Sequence, residues 1–297
     1  MIDYKKIFRD REKRLKLIEK LSVIPDVPYL KMVYRIKTGK KLNLDDPKTF
    51  NEKLNWLKLH DIHPEYTDLV DKVKVREVIK EKLGEEYLIP LLGVWDSFDE
   101  IDFDALPDKF VLKCNHDSGS VKVITDKSRI NKPELKKFFD GRLSLNPWCL
   151  AREYPYKNVK PKIIAEQYME AKGGKGINDY KFLCFNGKPE IVFVATGRPV
   201  DTRFDYFDME YNHLDVKESY ENADVTPEKP ACFDEMKKIA YQLCQGKTEV
   251  RVDLYEIDGK VYFGELTFFD GGGYNRYEPN VWDRKIGDML DLSNVKD

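Results

Sequence analysis

The sequence predicts an α+β fold on three observations. Two dipeptides, Asn186-Gly187 and Asp258-Gly259, each sit between runs rich in β-branched and aromatic residues. That is the pattern of a two-residue type I′ hairpin, whose central positions need the positive φ that Asn, Asp and Gly tolerate. Apolar residues at helical spacing dominate the first 84 or so positions, and strand texture takes over from Glu86.

Composition narrows the class. Of 297 residues, 41% are hydrophobic, 12% aromatic and 35% charged, as expected of a globular chain with a core. The 51 basic and 53 acidic residues leave a formal net charge of −2, so there is no global nucleic-acid footprint and any basic patch is local. Five cysteines, Cys114, Cys149, Cys184, Cys232 and Cys244, are odd in number, widely spaced and free of Cys-x-x-Cys. They argue against a disulfide framework or a zinc site and for reduced thiols in a cytoplasmic setting. No apolar run approaches the roughly 20 residues of a membrane span, and the first residues show no apolar signal-peptide core.

Along the chain, Ile7, Phe8, Leu15, Ile18 and Leu21 fall near helical spacing among many Lys and Arg. They predict a basic amphipathic helix that either covers its own domain or touches an anionic membrane surface or a biosynthetic partner. Further helices are expected over 29–37, after Asp46-Pro47 with Phe50, Leu54 and Leu57 on one face, and over 69–83, where Gly84 would be a left-handed C-cap. His60 and His63 read as surface histidines in the loop between helices.

Strands are expected over 86–94, 110–114 and 121–125, the last two joined by Asn115-His116-Asp117-Ser118-Gly119-Ser120. A lysine at the end of a buried strand beside such a turn suits phosphate, because Lys113 offers a mobile point charge and turn amides can close round an anion. A plain hairpin with a surface lysine is the other reading, and His116 with Asp117 is either an acid/base pair or an Asx turn. Next come a helix over 133–139 and an aromatic, basic segment over 146–160, then a strand over 162–169 and a flexible Gly173-Gly174-Lys175-Gly176. The strands 179–185 and 191–196 flank Asn186-Gly187, with Lys181 on the first. A strand over 204–209 and a helix over 233–244 lead into the last hairpin.

The chemistry concentrates in residues 249–274. Strict alternation puts Glu249, Arg251, Asp253 and Tyr255 on one face of the outgoing strand. On the returning strand it separates Tyr262, Gly264, Leu266 and Phe268 from Val261, Phe263, Glu265 and Thr267. With the turn at Asp258-Gly259, Asp253 falls opposite Gly264 or Glu265, so two carboxylates can converge beside Arg251. Facing carboxylates repel, and a hard divalent cation such as Mg²⁺ resolves the repulsion. An exposed face on which Arg251 alone neutralises the acids is the alternative.

Five segments in order resemble the ATP-grasp superfamily, and more narrowly its TupA-like branch, associated with teichuronopeptide and capsular polysaccharide biosynthesis. They are Phe-Val-Leu-Lys-Cys-Asn-His at 110–116, Pro-Lys-Ile-Ile-Ala-Glu-Gln-Tyr at 161–168, Asp-Tyr-Lys-Phe-Leu-Cys-Phe-Asn-Gly-Lys-Pro at 179–189, Val-Arg-Val-Asp-Leu-Tyr at 250–255 and Phe-Gly-Glu-Leu-Thr-Phe at 263–268. The resemblance runs from about Tyr29 to Asp291. It implies an ATP-grasp fold with ATP held between two α+β lobes, preceded by N-terminal helices. The corresponding regions are a basic helix at 1–28, a helical substrate-side region at 29–109, a small lobe at 110–170 and a large lobe with the metal-binding hairpin at 171–297.

Carried over by position, Lys113 and Lys181 contact the ATP phosphates, and Ser118, Gly119 and Ser120 form the loop that closes over them. Glu166 accepts from the adenine amino group, while the backbone of Gln167 and Met169 reads the ring edge. Asp253 and Glu265 hold Mg²⁺. Thr267 stands where the superfamily usually has Asn, which suits the TupA-like branch and offers a second ion a weaker ligand than an amide carbonyl. Arg251 and Lys181 are the catalytic candidates, Arg251 stabilising charge at the reacting carbonyl.

The reaction so implied is carboxylate–amine ligation through an acyl phosphate, giving an amide and joining an amino acid or amine to a uronic acid of a cell-surface polysaccharide. Its partners would be small-molecule or glycan carboxylates and amines, with no nucleic acid. Arg152, Lys157, Arg198 and Arg203 are candidates for holding an anionic acceptor. Three other readings stay open: a sugar or small-molecule kinase using the same nucleotide site, a glycosyltransferase, which would call for an Asp-x-Asp nucleotide-sugar site in a Rossmann-like half that is not found here, and a non-catalytic nucleotide-binding module.

Overall fold

The computed structural model describes residues 21–174, 176–198 and 200–295, so the basic helix expected over 4–21 lies, apart from Leu21, outside the described residues. The first described α-helices are α1 (Asp26–Thr38), α2 (Phe50–His60), α3 (Tyr66–Val70) and α4 (Val75–Lys82). Thr49 caps α2 in a capping box: its side chain accepts from Glu52 N, and its own N–H donates to the Glu52 carboxylate at 3.0 Å. The single helix expected over 69–83 is instead two. Asp71 breaks it by accepting from Val73 N at 2.9 Å and from the buried Asn115 amide at 2.9 Å, a local turn that competes with the helical ladder. Gly84 has φ 114° and ψ 156°, a positive-φ conformation that suits glycine but lies outside the αL region of a left-handed cap.

Next are β1 (Leu91–Trp95), β2 (Phe110–Cys114), β3 (Val121–Ile124), α5 (Lys132–Leu143), α6 (Trp148–Ala151) and β4 (Ile163–Gln167). Residues 85–87 turn as a 3-10 helix, so the strand expected from Glu86 starts only at Leu91. Then come β5 (Asn178–Phe185), β6 (Lys188–Thr196), β7 (Arg203–Phe207), β8 (His213–Leu214), β9 (Lys217–Glu218) and α7 (Phe233–Cys244). The chain continues with β10 (Glu249–Ile257), β11 (Lys260–Thr267), β12 (Tyr277–Glu278) and α8 (Val281–Met289). This is the α+β architecture the sequence predicts. Both hairpin turns have positive φ at both central positions, 50° and 77° at Asn186-Gly187 and 54° and 82° at Asp258-Gly259.

The chain divides into two compact units. Among the described residues, the first comprises 21–29, His63–Arg76 and Ile89–Tyr168, and the second Leu30–Ile62, Glu77–Leu88 and those from Met169 onward, so residues 29–109 contribute to both.

In the first unit an antiparallel sheet of order β1-β4-β2-β3 turns one face to a core of Phe110, Leu112, Cys114, Ile163 and Ala165 with Phe98, Phe103 and Phe139. Its other face carries Lys113, Val111 and Glu166, with Val121 and Val123 exposed on the edge strand.

In the second unit an antiparallel sheet runs β11-β10-β5-β6-β7-β8. Helix α7 packs on one of its faces through Phe233, Met236, Ile239, Ala240 and Leu243, with Phe233 stacked on Phe182 at 5.9 Å between ring centres. The opposite face carries the charged residues of the last hairpin.

Candidate functional site

The pairing of β10 with β11 is regular from Ile257↔Lys260 to Leu254↔Phe263 and resumes at Asp253↔Glu265, leaving Gly264 as a bulged residue. The bulge corrects strict alternation. Val261 and Phe263 point into the core, and the extra residue lets Leu266 point there too, so Glu265 and Thr267 join Arg251 and Asp253 on the charged face. A Cβ at Gly264 would lie 3.0 Å from Asp253 O and 3.1 Å from the Tyr255 ring, so the close approach suits glycine.

Arg251 organises that face. It grips Asp253 with two donors, Nε to Oδ1 at 2.7 Å and Nη2 to Oδ2 at 2.8 Å, and reaches Asp270 Oδ1 at 2.6 Å through Nη1. Nη2 also donates to Thr267 Oγ1 at 3.1 Å and lies 3.4 Å from Glu265 Oε1. Burial opposes the charge on Arg251, but Asp253 and Asp270 outweigh it and hold the guanidinium protonated well above its ordinary range. On β5, Lys181 faces Asp253 across the strand pair, and its ammonium contacts both Asp253 Oδ2 and Asp179 Oδ2, the latter at 2.7 Å.

Beneath this face Glu249, 1% exposed, accepts from Phe269 N at 2.7 Å and Asp270 N at 3.4 Å. Burial pushes its carboxyl up to about 8 despite those bonds. The following Gly271, Gly272 and Gly273 all have positive φ. Their loop is clamped by one face of α2, where Asn55 Nδ2 donates to Gly273 O at 2.8 Å and Lys58 Nζ to Gly272 O at 2.6 Å. Asn275 Nδ2 completes the frame by donating to Asp270 Oδ2 at 2.8 Å. Sequence reasoning passed over Asp179, Asp270, Asn275, Asn55 and Lys58. Only Asp179, two residues before Lys181 and so on the same strand face, carried a usable signal.

In the first unit Lys113 and Glu166 meet diagonally across β2 and β4, Nζ to Oε2 at 2.6 Å, and Arg76 Nη1 stands 3.6 Å from Glu166 Oε1. Gln167 N donates to Pro90 O at 2.9 Å, and Met169 follows β4 in irregular backbone. Ser118 and Gly119 are exposed in the turn. Ser120 is buried, accepting from Cys114 N at 3.0 Å and donating to Asp117. Arg142 holds Asp117 at 3.0 Å and Gly119 O at 3.2 Å. His116 is buried with Nε2 on Leu145 O at 3.2 Å, and burial lowers its pKa, so its ring braces the turn as a neutral group.

Of the acceptor candidates, Arg152 is 2% exposed, paired with Asp26 at 3.0 Å and stacked on Tyr29 and Trp148, which makes it a structural residue. Arg203 pairs with Asp201 at 3.1 Å, Lys157 sits over Trp148, and Arg198 reaches Asp179 at 3.3 Å. The chain's Asp-x-Asp, Asp102-Phe103-Asp104, is an Asx turn around a buried Phe103, with Asp102 Oδ1 accepting from Asp104 N at 3.0 Å.

Among the described residues no group of three or more His, Cys, Asp or Glu side chains is arranged to hold a metal ion by itself. Mg²⁺ commonly takes one or two carboxylates and shares its remaining positions with substrate phosphates. Asp253 and Glu265, opposite each other with the Glu265 side chain 30% exposed, supply hard oxygen donors of that kind.

Compared with protein families, the sequence matches the TupA-like ATP-grasp model over residues 52–291. The chain belongs to the TupA-like ATP-grasp family. Its cofactor is accordingly ATP, with Mg²⁺ the usual partner of the nucleotide. No curated protein matches the chain.

Solved structures similar to this ATP-grasp chain include D-alanine–D-alanine ligase from Bacillus anthracis, at 16% identity, covering 82% of this chain and 69% of that one with a TM-score of 0.40. The same ligase complexed with ATP has 16% identity, coverages of 75% and 64%, and a TM-score of 0.43. D-alanyl-alanine synthetase A from Vibrio cholerae has 11% identity, coverages of 75% and 64%, and a TM-score of 0.43. The chain spans about two thirds of the length of these proteins, and its family assignment rests on the sequence match. No described helix of this ATP-grasp protein is long and apolar enough to cross a membrane.

Proposed function

We propose that the protein is an ATP-dependent carboxylate–amine ligase that forms an amide through an acyl phosphate. The observation that carries this reading is the Asp253–Glu265 pair, brought into register by the Gly264 bulge beside Arg251 and Lys181. A carboxylate is a poor electrophile. Its oxygen attacks the γ-phosphorus and ADP leaves; the amine nitrogen then attacks the acyl carbon and phosphate leaves. Bound Mg²⁺ would neutralise charge on the transferring phosphoryl group. In this reading Asp253 and Glu265 hold that ion, Lys181 and Lys113 bind phosphate oxygens, and Arg251, kept charged by its carboxylates, stabilises charge at the acyl carbon. Such chemistry is positioning and electrostatics and calls for no protein nucleophile.

The face of the four-stranded sheet that carries Lys113, exposed along its β3 edge, supports the nucleotide half. Val111, Val121 and Val123 offer an apolar wall for a planar base, and Glu166, neutralised by Lys113, offers an acceptor for its amino group. For the acceptor half the reading takes a cleft of about 400 Å³ in the second unit, lined by Lys40, Asn51, Asn275, Arg276, Asn280 and Asp283. Asn275 connects it to Asp270 and so to Arg251. Amides with charges of both signs suit a polyhydroxylated, carboxylate-bearing ring, and family membership favours a uronic acid of a cell-surface polysaccharide joined to an amino acid or amine.

The test is Mg²⁺-dependent ADP release over a matrix of hexuronates and UDP-hexuronates crossed with amino acids and ammonia, with mass spectrometry of products and Asp253→Asn and Glu265→Gln as controls. ADP that requires both partners, with an adduct one water lighter than their sum, is expected. A phosphorylated acceptor formed without any amine would make the protein a kinase instead.

A further inference from the structure

The charged face of the second unit contains a carboxylate to which the proposed function gives no task. Asp179 lies two residues before Lys181 on β5, on the same side of the sheet, and is 2% exposed. Its Oδ2 takes Lys181 Nζ at 2.7 Å and Arg198 Nη1 at 3.3 Å, while its Oδ1 is buried with no hydrogen-bond partner. A buried carboxylate oxygen without a donor carries a desolvation cost that folds seldom retain without a use. The Lys181 ammonium therefore stands between two carboxylates, Asp179 and Asp253, of which Asp179 alone keeps an oxygen with no donor.

Asp253 is crowded by comparison. Arg251 takes both its oxygens, and Lys181 shares Oδ2. For Asp253 to ligate a divalent cation, a donor has to withdraw from it. Arg251 is tethered on its far side by Asp270 at 2.6 Å, so Lys181 is the donor with a second place to go. Without Asp179 the ammonium would either keep Asp253 from the metal or be released from the sheet face altogether.

We infer that Asp179 is a positioning residue for Lys181: it retains the ammonium by itself when a divalent cation takes Asp253, and thereby frees the metal ligand while keeping the lysine at the phosphates. The inference rests on the ATP and Mg²⁺ reading of this face. It separates the two cations by function, Arg251 staying with the hairpin and Lys181 passing from two carboxylates to one. Both carboxylates come from one sheet, Asp179 on β5 and Asp253 on β10, so this needs no change of backbone.

The experiment measures binding of Mn²⁺, a spectroscopic stand-in for Mg²⁺, together with the non-hydrolysable nucleotide AMP-PNP to the full chain, by electron paramagnetic resonance and calorimetry. The variants are Asp179→Asn, Asp179→Glu, Lys181→Gln and Asp179→Asn combined with Lys181→Gln. Removing a partner that orients a metal site typically weakens metal affinity about 10- to 100-fold. That loss is expected for Asp179→Asn, with most of it restored by Glu. In the double variant the Asn substitution adds nothing to the loss caused by Lys181→Gln, because Asp179 acts through that lysine.

Wild-type affinity in Asp179→Asn would overturn the inference and leave the ATP reading standing. An undiminished effect of Asn in the Lys181→Gln background would do the same, by showing that Asp179 acts as a bulk charge or a structural support. Absence of Mn²⁺·AMP-PNP binding by the wild type would remove the ATP reading itself and this inference with it. Asp179→Ser serves in the same cycle if the Asn variant does not fold.

Discussion

Asp253 and Glu265 stand directly opposite each other across β10 and β11, and Gly264 is the residue left out of register to allow it. Without the bulge Gly264 would occupy the charged face and Glu265 would turn towards the core, where an unpaired carboxylate is costly. One glycine thus decides whether the hairpin presents two acids or one.

Gly264→Val tests the bulge. The added side chain meets Asp253 O and the Tyr255 ring at contact distances tighter than a bulge with a Cβ accommodates. We expect a loss of roughly 1–3 kcal/mol in urea unfolding, as for other overpacked sites. Mn²⁺·AMP-PNP affinity should fall in parallel, and an unchanged affinity would mean that the two carboxylates do not act together.

Arg251→Met should destabilise far more than a surface charge change does. The guanidinium neutralises Asp253 and Asp270, both nearly fully buried, and its removal leaves Asp270 without a cation and Asp253 with Lys181 alone. Breaking a buried pair from one side costs about 3–5 kcal/mol. Adding Asp270→Asn should recover part of the loss in the same denaturation assay; a strictly additive pair of changes would refute the coupling.

Glu249 makes stability depend on pH with a defined sign. Burial raises its carboxyl from 4.5 to about 8, so between those values the folded chain holds a proton that the unfolded chain has released. Folded stability therefore falls as pH rises through that window and levels off above it. The wild type minus Glu249→Gln difference isolates this group and should change by roughly 3–5 kcal/mol, converting the shift at about 1.4 kcal/mol per unit. A flat difference from pH 5 to 8 would place the Glu249 pKa in the ordinary carboxylate range.

Thr267→Asn should change the metal stoichiometry. Thr267 Oγ1 accepts from Arg251 Nη2 at 3.1 Å and lies 3.5 Å from Glu265 Oε1, at the edge of the acidic pair. An amide carbonyl at this place is a stronger oxygen ligand than a hydroxyl, so a second Mn²⁺ should bind several-fold more tightly in the presence of AMP-PNP. Calorimetric titration reads this directly, and identical isotherms for both proteins would exclude position 267 from the metal site.

How much was legible beforehand depended on range. Asn186-Gly187 and Asp258-Gly259 announced their hairpins because turn type follows from two adjacent residues, and both have the required positive φ. The helix over 69–83 divides because the local turn of Asp71 onto Val73 N is fixed by Asn115, 44 positions from Asp71, which no periodicity within the segment records. The glycine run after Phe269 carries no local sign of what holds it. It is a clamped loop, held by Asn55 and Lys58 of α2 more than 200 positions away.

By itself the sequence determined most of the longer secondary elements, the two hairpins, the family and the roster of charged residues on the final strands, because propensity, turn chemistry and alternation act over a few residues. Tertiary structure alone decided which of those charges meet. Strand pairing set Lys181 against Asp253, 72 positions apart, and core packing of Val261, Phe263 and Leu266 forced the bulge that turned Glu265 to the same side. The physical reason is that a carboxylate's neighbours in a sheet are fixed by register, and register is chosen by the burial of the apolar face behind it.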